Sequence, residues 1–285
     1  MTSEAPEAQA DEKTVRGRQL YDHGATTITA LAADPRFSYC MYVPPEVTAE
    51  TELVVAMHGT GRAFVDYRNG FAEFGRWNNC IILAPLFPVG VLGDGNRDGF
   101  KYIAEGDIRY DHVLLEMVKE VELKYGKTFP QFALFGYSGG GHFANRFLIL
   151  HPERLWAVTI GAPGSVTLPD PTRNWWVGVA DVEDRFGVTF RPEEMAKVAV
   201  QLVVGGADVE TWEITHKPGG RHWMEGANDA GRTRPERSKT LQEALQAAGV
   251  EARYDLLPGL THDGMKVLDT VKSFFAEVLQ RRRTG

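Results

Sequence analysis

A serine enclosed by glycines is the residue of this chain whose surroundings best suit covalent chemistry. Ser138 lies in "FALFGYSGGGHF", residues 132–143, and residues 136–140 match the pattern G-x-S-x-G. An apolar strand before the serine and a helix after it would put the hydroxyl on a sharp turn, a nucleophile elbow, where glycines avoid side-chain collisions. The free N–H groups of the helix N-terminus would favour a developing negative charge beside it. The alternative is a glycine-rich loop that merely ends a strand.

A serine hydroxyl needs a neighbouring base, and eight histidines are available. His262, in "LLPGLTHDG", follows the last predicted strand and precedes the last helix, so it should reach the same sheet edge as Ser138. His58 also follows a strand, but it stands before the serine, and we favour a role in holding its loop through hydrogen bonds. His142 lies one turn beyond Ser138 and is expected to point along the helix. Surface, loop or capping positions are predicted for His23, His112, His151, His216 and His222.

The base in turn needs an acid that orients it and stabilises its charged form. Asp208 ends "VAVQLVVGGAD", where a predicted strand meets its loop, and it is the favoured carboxylate. Its alternative role is to cap the segment that follows. Asp181 and Asp184 are rivals because they also lie between the serine and the histidine, whereas Asp263 adjoins His262 and should face away. The predicted catalytic residues therefore occur in the chain order serine, aspartate, histidine.

Alternating strands and helices are needed to bring these residues together. Residues 26–33 and 37–44 predict an N-terminal antiparallel hairpin. Further strands are predicted in "ELVVAMHG", "CIILAPLFP", "FALFGYS", "LWAVTIGAPG", "VAVQLVVGGAD" and "EARYDLLPG". Helices are predicted in "AFVDYRNGFAEFGRW", "RYDHVLLEMVKEVELKYG", "HFANRFLILHP", "SKTLQEALQAAG" and "LDTVKSFFAEVLQRR". This alternation predicts an α/β fold with a mostly parallel central sheet and helices on both faces.

The chain divides into an acidic N-terminal tail, residues 1–13, and one domain, residues 14–285, with a small cap or long loop at 165–197. The carboxyl ends of parallel strands share one sheet edge, so loops and functional residues should collect there. Aromatic side chains near that edge are candidate walls of a substrate pocket: Trp175, Trp176 and Trp212. Candidates for binding an acidic substrate, with none preferred, are Arg62, Arg173 and Arg221.

Composition and net charge limit the kinds of molecule that this protein is expected to bind. A net charge of -7 and a pI near 5.7 argue against a nucleic-acid binder, which needs a basic face. The sequence shows no 18-residue apolar stretch and no signal-peptide pattern, so we expect a cytoplasmic protein without a membrane partner. Cys40 and Cys80 are expected to be buried reduced thiols, although pairing stays open. A homodimer is one of the assemblies that the sequence leaves open.

The serine, aspartate, histidine order on a strand-turn-helix nucleophile resembles the α/β-hydrolase superfamily over about residues 26–280. Within it, "HGTGR", "GYSGGGHFANRF" and "LLPGLTHDG" resemble the esterase branch related to polyhydroxybutyrate depolymerases and feruloyl esterases. The resemblance implies an oxyanion hole in which the amide of Thr60 or Gly61 joins that of Gly139.

The same residues predict a serine hydrolase that cleaves a small or oligomeric carboxylic ester through an acyl-enzyme, without a metal or organic cofactor. An amidase, peptidase or lactonase could use the same triad, and a binding module that lacks catalysis is a further alternative. Such modules usually lose a member of the triad, whereas this chain retains a candidate for every role.

A second motif indicates different chemistry. "DGNRDGFKYIAE" fits the pattern of a calcium loop, with oxygens from Asp94, Asn96, Asp98 and Glu105. The flanking sequence is wrong, because such a loop needs a helix on each side and "LFPVGVLG" precedes it. Lys101 would also add positive charge beside the metal. We therefore favour an active-site loop shaped by Asx turns and glycine.

Overall fold

A mixed sheet of nine strands is the framework of the part of the chain that the structure, a computed structural model, describes: Gly17 and residues 22–284. The predicted 1–13 tail lies outside the described residues. The strands are β1 Gly24–Ala25, β2 Thr29–Ala30, β3 Ser38–Val43, β4 Glu52–Met57, β5 Cys80–Leu86, β8 Phe132–Tyr137, β9 Leu155–Gly161, β10 Ala199–Gly205 and β11 Ala252–Leu257. A separate antiparallel pair consists of β6 Ala104–Glu105 and β7 Ile108–Arg109.

The order of the strands is β1-β3-β5-β4-β8-β9-β10-β11, with β2 paired to β3. From β5 to β11 every neighbouring pair is parallel. The β2–β3 pair is the predicted N-terminal hairpin, with Thr29 opposite Tyr39 in antiparallel register. Because β4, β8, β9, β10 and β11 run in the same direction, their carboxyl ends and the loops that follow them lie along one edge.

Helices cover both faces of the sheet, as the alternating pattern predicts. They are α1 Phe64–Asn78, α2 Tyr110–Tyr125, α3 Gly139–Leu150, α4 Val182–Phe186, α5 Pro192–Met195, α6 Arg234–Ala247 and α7 Leu268–Thr284, with short 3-10 turns at Gly99–Tyr102 and Pro152–Arg154. On one face, Leu114 of α2, Phe147 of α3 and Leu241 of α6 enter the same buried cluster. On the other face, Phe71 of α1 and Phe275 of α7 pack together. The described part of the chain is therefore an α/β structure of helix, sheet and helix layers.

Two local details add to the sequence-based prediction. Helix α6 starts at Arg234, before the predicted segment, because the Thr233 side chain accepts a hydrogen bond from Glu236 N and a proline lies in the first turn. Cys40 and Cys80 are both buried and form no disulfide, and burial raises the pKa of both thiols. No helix of the described residues combines the length and apolar character needed to cross a membrane.

Candidate active site

Ser138 occupies the strained turn that its sequence predicts. Its backbone has φ +56°, in the left-handed region, between the end of β8 and the start of α3. A Cβ atom on Gly140 would lie 2.7 Å from His58 O, and one on Gly136 would overlap the Gly140 carbonyl. The Ser138 amide donates to Gly161 O at 2.8 Å. The glycines therefore allow β8 and α3 to turn tightly against the ends of β4 and β9.

The amide of Thr60 lies next to Gly139 at this turn. A Cβ atom on Gly139 would be 3.0 Å from Thr60 N. Neither amide donates a hydrogen bond to another described residue, and the first hydrogen bond of α3 runs from His142 N to Ser138 O. Thr60 lines the same cleft as Ser138, whereas Gly61 does not. Thr60 is thus the residue of the "HGTG" loop whose amide is available beside Gly139.

His262 and Asp208 are hydrogen-bonded to each other. The Nδ1 atom of His262 lies 2.5 Å from Asp208 Oδ2, the geometry of an N–H that donates to a carboxylate. Asp208 is only 1% exposed, and its other oxygen accepts from Arg234 Nη1 at 3.1 Å. Backbone hydrogen bonds join the two loops: Gly206 N donates to Leu257 O and Ala207 N to Leu260 O. The loops that follow β10 and β11 therefore hold the imidazole and the carboxylate at hydrogen-bonding distance.

The imidazole lies beside the end of the strand that carries Ser138. The rings of His262 and Tyr137, the residue before Ser138, have centroids 5.1 Å apart, and Gly264 packs against Tyr137. Ser138 Oγ and His262 Nε2 are not hydrogen-bonded to each other in the structure. Without substrate, catalytic hydrogen bonds are often long and shorten when the complex forms. The structure therefore shows the contact between the imidazole and the carboxylate, and the contact between the serine and the imidazole has to form before a proton can pass between them.

The rival carboxylates have other partners. Asp181 Oδ1 accepts from Trp175 N at 2.6 Å, and Asp263 Oδ1 accepts from Met265 N at 3.0 Å in a turn of its own. Asp184 is exposed on α4. Of the four aspartates considered from the sequence, the structure brings only Asp208 to His262.

His58 is a buried loop support. Its Nε2 accepts from Phe87 N at 2.9 Å, and its Nδ1 donates to Gly59 O at 2.8 Å. Burial, with a smaller contribution from the nearby Arg62 cation, lowers the pKa of His58 to about 3, so the ring is neutral at pH 7. These contacts match the structural role favoured from the sequence.

A cleft of 410 Å³ opens above Ser138 and Thr60. Trp212 lines it and is 76% exposed. Trp175 and Trp176 do not line this cleft but a smaller cavity of 210 Å³ that shares Tyr102 and His222 with it, so their place in a substrate pocket stays a prediction. Trp176 Nε1 donates to His222 O at 3.0 Å, which fixes the wall from behind.

Three histidines line this cleft that were not predicted there from the sequence: His142, His216 and His222. The His142 ring does not simply point along α3, because its Nε2 accepts from Gly164 N at 2.8 Å and it holds the loop after β9. His222 stacks on Tyr102 with ring centroids 3.8 Å apart. Burial lowers the pKa of both His216 and His222 to about 4. His216 and His222 lie on a long irregular loop, for which the sequence carries no periodic signal.

The loop of the calcium motif also reaches the cleft, through Asp98 and Lys101. It has the predicted Asx turns: Asp94 Oδ1 accepts from Asn96 N, and Asn96 Oδ1 accepts from Asp98 N. The motif's carboxylates already contact cations of the protein, since Lys101 lies 2.7 Å from Asp98 and Arg221 lies 2.9 Å from Asp94. The loop therefore has the internal bonding of an ordinary cleft loop.

One group of described residues, Asp111, His112 and His151, has the donor spacing of a metal site. The Arg109 guanidinium, however, donates to both carboxylate oxygens of Asp111, at 3.0 and 2.6 Å. His151 is also hydrogen-bonded to that carboxylate, at 2.8 Å. A cation would have to displace Arg109, so the group fits a buried ion-pair network better than a metal centre.

Comparisons with known proteins identify the fold. No model of a known protein family matches the chain, and no curated protein matches its sequence. A poly(aspartic acid) hydrolase-1 from Sphingomonas sp. KT-1 superposes with a TM-score of 0.71 at 18% identity, over 88% of this chain and 98% of that one. The poly(3-hydroxybutyrate) depolymerase LpqC from Bordetella parapertussis gives 0.70 at 23% identity, over 90% and 94%. A Bacillus cereus carboxylesterase gives 0.54 at 16% identity, over 85% and 94%. The chain has the α/β-hydrolase fold.

Proposed function

We propose that this protein is a serine hydrolase that cleaves carboxylic esters through an acyl-enzyme. The observation that carries the proposal is the hydrogen-bonded His262–Asp208 pair at the sheet edge where the turn presents Ser138. Esterases and depolymerases are among the proteins with this fold, which supports ester cleavage as the proposed reaction.

The proposed reaction has two halves. Ser138 Oγ attacks the ester carbonyl carbon while His262 Nε2 takes its proton, and Asp208 holds the opposite N–H of the ring. The amides of Thr60 and Gly139 donate to the oxyanion, each contributing about 3 kcal/mol to the transition state. The tetrahedral intermediate collapses, and the C–O bond breaks as His262 returns the proton to the departing alcohol.

Water then repeats the attack on the acyl-serine. His262 takes a proton from the water, the second intermediate forms at the same oxyanion site, and its collapse releases the acid and restores the Ser138 hydroxyl. Each cycle consumes one ester and one water and yields one alcohol and one acid. Ser138 must be accessible from the cleft because it carries the acyl group between the two halves of the reaction.

The partners proposed are ester substrates of small or oligomeric size. The similar structures include proteins whose names specify poly(3-hydroxybutyrate) and poly(aspartic acid), so polymers or oligomers belong in the first substrate screen. We retain the cytoplasmic location as a prediction, to be checked by cell fractionation.

The direct experiment is steady-state hydrolysis of p-nitrophenyl esters, with p-nitroanilides as the amide comparison. Ser138→Ala, His262→Gln and Asp208→Asn should each lower kcat/KM by about 10⁴-fold, the size expected when a triad member is lost. The matched control is Asp263→Asn, because Asp263 adjoins His262 but bonds only within its own turn.

The proposal fails if well-folded wild-type protein hydrolyses no ester, or if Ser138→Ala retains wild-type kcat/KM. Faster turnover of anilides than of matched esters would leave the proposed triad intact and indicate that the enzyme acts on amides. Equal losses in Asp208→Asn and Asp263→Asn would mean that the Asp208 contact does not orient the base.

A further inference from the structure

Lys101 is a buried cation beside the proposed oxyanion site. The residue is 9% exposed and lines the cleft together with Ser138. A Cβ atom on Gly139 would lie 2.9 Å from Lys101 Cε and 3.0 Å from Thr60 N. The lysine therefore reaches the amides that are proposed to bind the carbonyl oxygen, although the serine mechanism needs no ammonium there.

The ammonium has few partners in the protein. Its Nζ lies 2.7 Å from Asp98 Oδ1, and no other described residue forms an ion pair with it. Asp98 is shared, because Arg97 Nε lies 3.5 Å from its other oxygen. Two cations thus face one carboxylate at the cleft wall. An ammonium carries three N–H donors, and burial makes donors without partners costly.

The cleft wall around Lys101 has more cations than carboxylates. The lining of the whole cleft contains five cationic residues, Arg97, Lys101, Lys217, Arg221 and Arg234. Arg221 pairs with Asp94, and Arg234 pairs with Asp208 and Glu213. Arg97 and Lys101 share the single carboxylate of Asp98. The chain as a whole has a net charge of -7. The nearby Lys101 ammonium also adds to the effect of burial in lowering the pKa of His142. A local excess of cations at this wall of the cleft favours anionic ligands.

We propose that the cleft selects acyl substrates that carry a carboxylate close to the scissile carbonyl, and that Lys101 binds that carboxylate. The inference rests on the proposed hydrolase function. With the carbonyl oxygen at the Thr60 and Gly139 amides, an acyl chain would pass Lys101, whose remaining N–H donors would meet the second carboxylate. Arg97, which shares Asp98 with Lys101, adds positive charge at the same wall.

The test compares mono-p-nitrophenyl glutarate with its methyl ester, which has the same acyl chain but no charge. Both release nitrophenolate, and the spontaneous rate of each is subtracted. Wild-type protein should have the higher kcat/KM with the anionic ester. Lys101→Met should lower the ratio of the two kcat/KM values by about tenfold or more, the loss of one hydrogen bond to a charged group.

Two further variants separate binding from folding. Asp98→Asn combined with Lys101→Met removes both buried charges and should lower the ratio as far as Lys101→Met alone. Lys197→Met is the control, because Lys197 also pairs with a carboxylate, Glu194 at 2.7 Å, but lies on the outer surface. Its ratio should equal that of the wild type.

A binding measurement keeps this proposal distinct from the hydrolase proposal. In titration calorimetry, glutarate should bind the wild type and Ser138→Ala alike, and Lys101→Met should weaken that binding by about tenfold or more. Glutarate binding without any ester turnover would support the carboxylate site and refute the hydrolase. Ester turnover with an unchanged ratio in Lys101→Met, or a parallel fall for both esters, would refute the carboxylate site alone.

Discussion

Arg234 supports the carboxylate of the proposed triad from behind. Its Nη1 donates to Asp208 Oδ1 at 3.1 Å and its Nη2 to Glu213 at 2.9 Å. The Arg234 side chain is 3% exposed and that of Asp208 is 0% exposed, so water cannot replace the guanidinium. Replacement of Arg234 by Met would leave a buried carboxylate with His262 as its remaining side-chain partner.

The expected cost follows from burial. When one partner of a buried ion pair is removed, the remaining charge has neither water nor a counter-charge, and the free energy of unfolding falls by about 3–5 kcal/mol. The control is the ion pair of Arg173 with Asp229, which is 2.8 Å long but has both side chains exposed. Solvent screens such a pair, so Arg173→Met should leave stability almost unchanged.

The assay is equilibrium unfolding in urea, followed by circular dichroism, for the wild type and both variants. Arg234→Met should have the lower midpoint, and its ester hydrolysis should fall because Asp208 no longer has one fixed position for His262. A loss below about 1 kcal/mol in Arg234→Met would refute the reasoning from burial. So would equal midpoints for Arg234→Met and Arg173→Met.

Three further outcomes are expected. Gly140→Ala should unfold at lower temperature in scanning fluorimetry and lose ester hydrolysis, because the new Cβ would lie 2.7 Å from the Met57 and His58 carbonyl oxygens; unchanged melting would contradict this. Burial lowers the pKa of His58 from 6.5 to about 3, so only the unfolded chain takes up that proton between these values. Unfolding free energy should therefore fall as pH decreases, by about 2 kcal/mol from this residue at pH 5, and His58→Gln should show a correspondingly smaller fall. Calcium titrated at micromolar concentration should give no binding heat, since Arg221 and Lys101 contact the motif's carboxylates; clear heat would restore the calcium hypothesis.

Periodic and local signals explain the parts of the molecule that could be predicted. The apolar runs of β4, β8 and β10 and the glycines around Ser138 express local requirements for buried strands and a tight turn, and the structure has them at the expected places. Asp208 could be chosen over Asp181 because it ends a strand of the same parallel sheet. The Asp208–His262 contact follows from that topology.

The rest of the cleft depends on loops without a repeating pattern. Residues 206–233 contain no helix or strand, and they bring His216, His222 and Trp212 to the cleft by particular turns and stacking contacts. Trp175 and Trp176 were expected in the pocket because they are aromatic and near the right edge. Both line the smaller cavity beside the cleft, and aromatic character alone does not specify which cavity a ring faces.

The central claim is that Ser138 is a nucleophile activated by His262. It is tested most directly by reaction with a fluorophosphonate, which phosphonylates activated serines with loss of fluoride, followed by peptide mapping in a mass spectrometer. We predict a single adduct on Ser138, its absence in Ser138→Ala, and a much slower reaction in His262→Gln. A well-folded wild type that stays unlabelled, or an adduct on another residue, would contradict the claim.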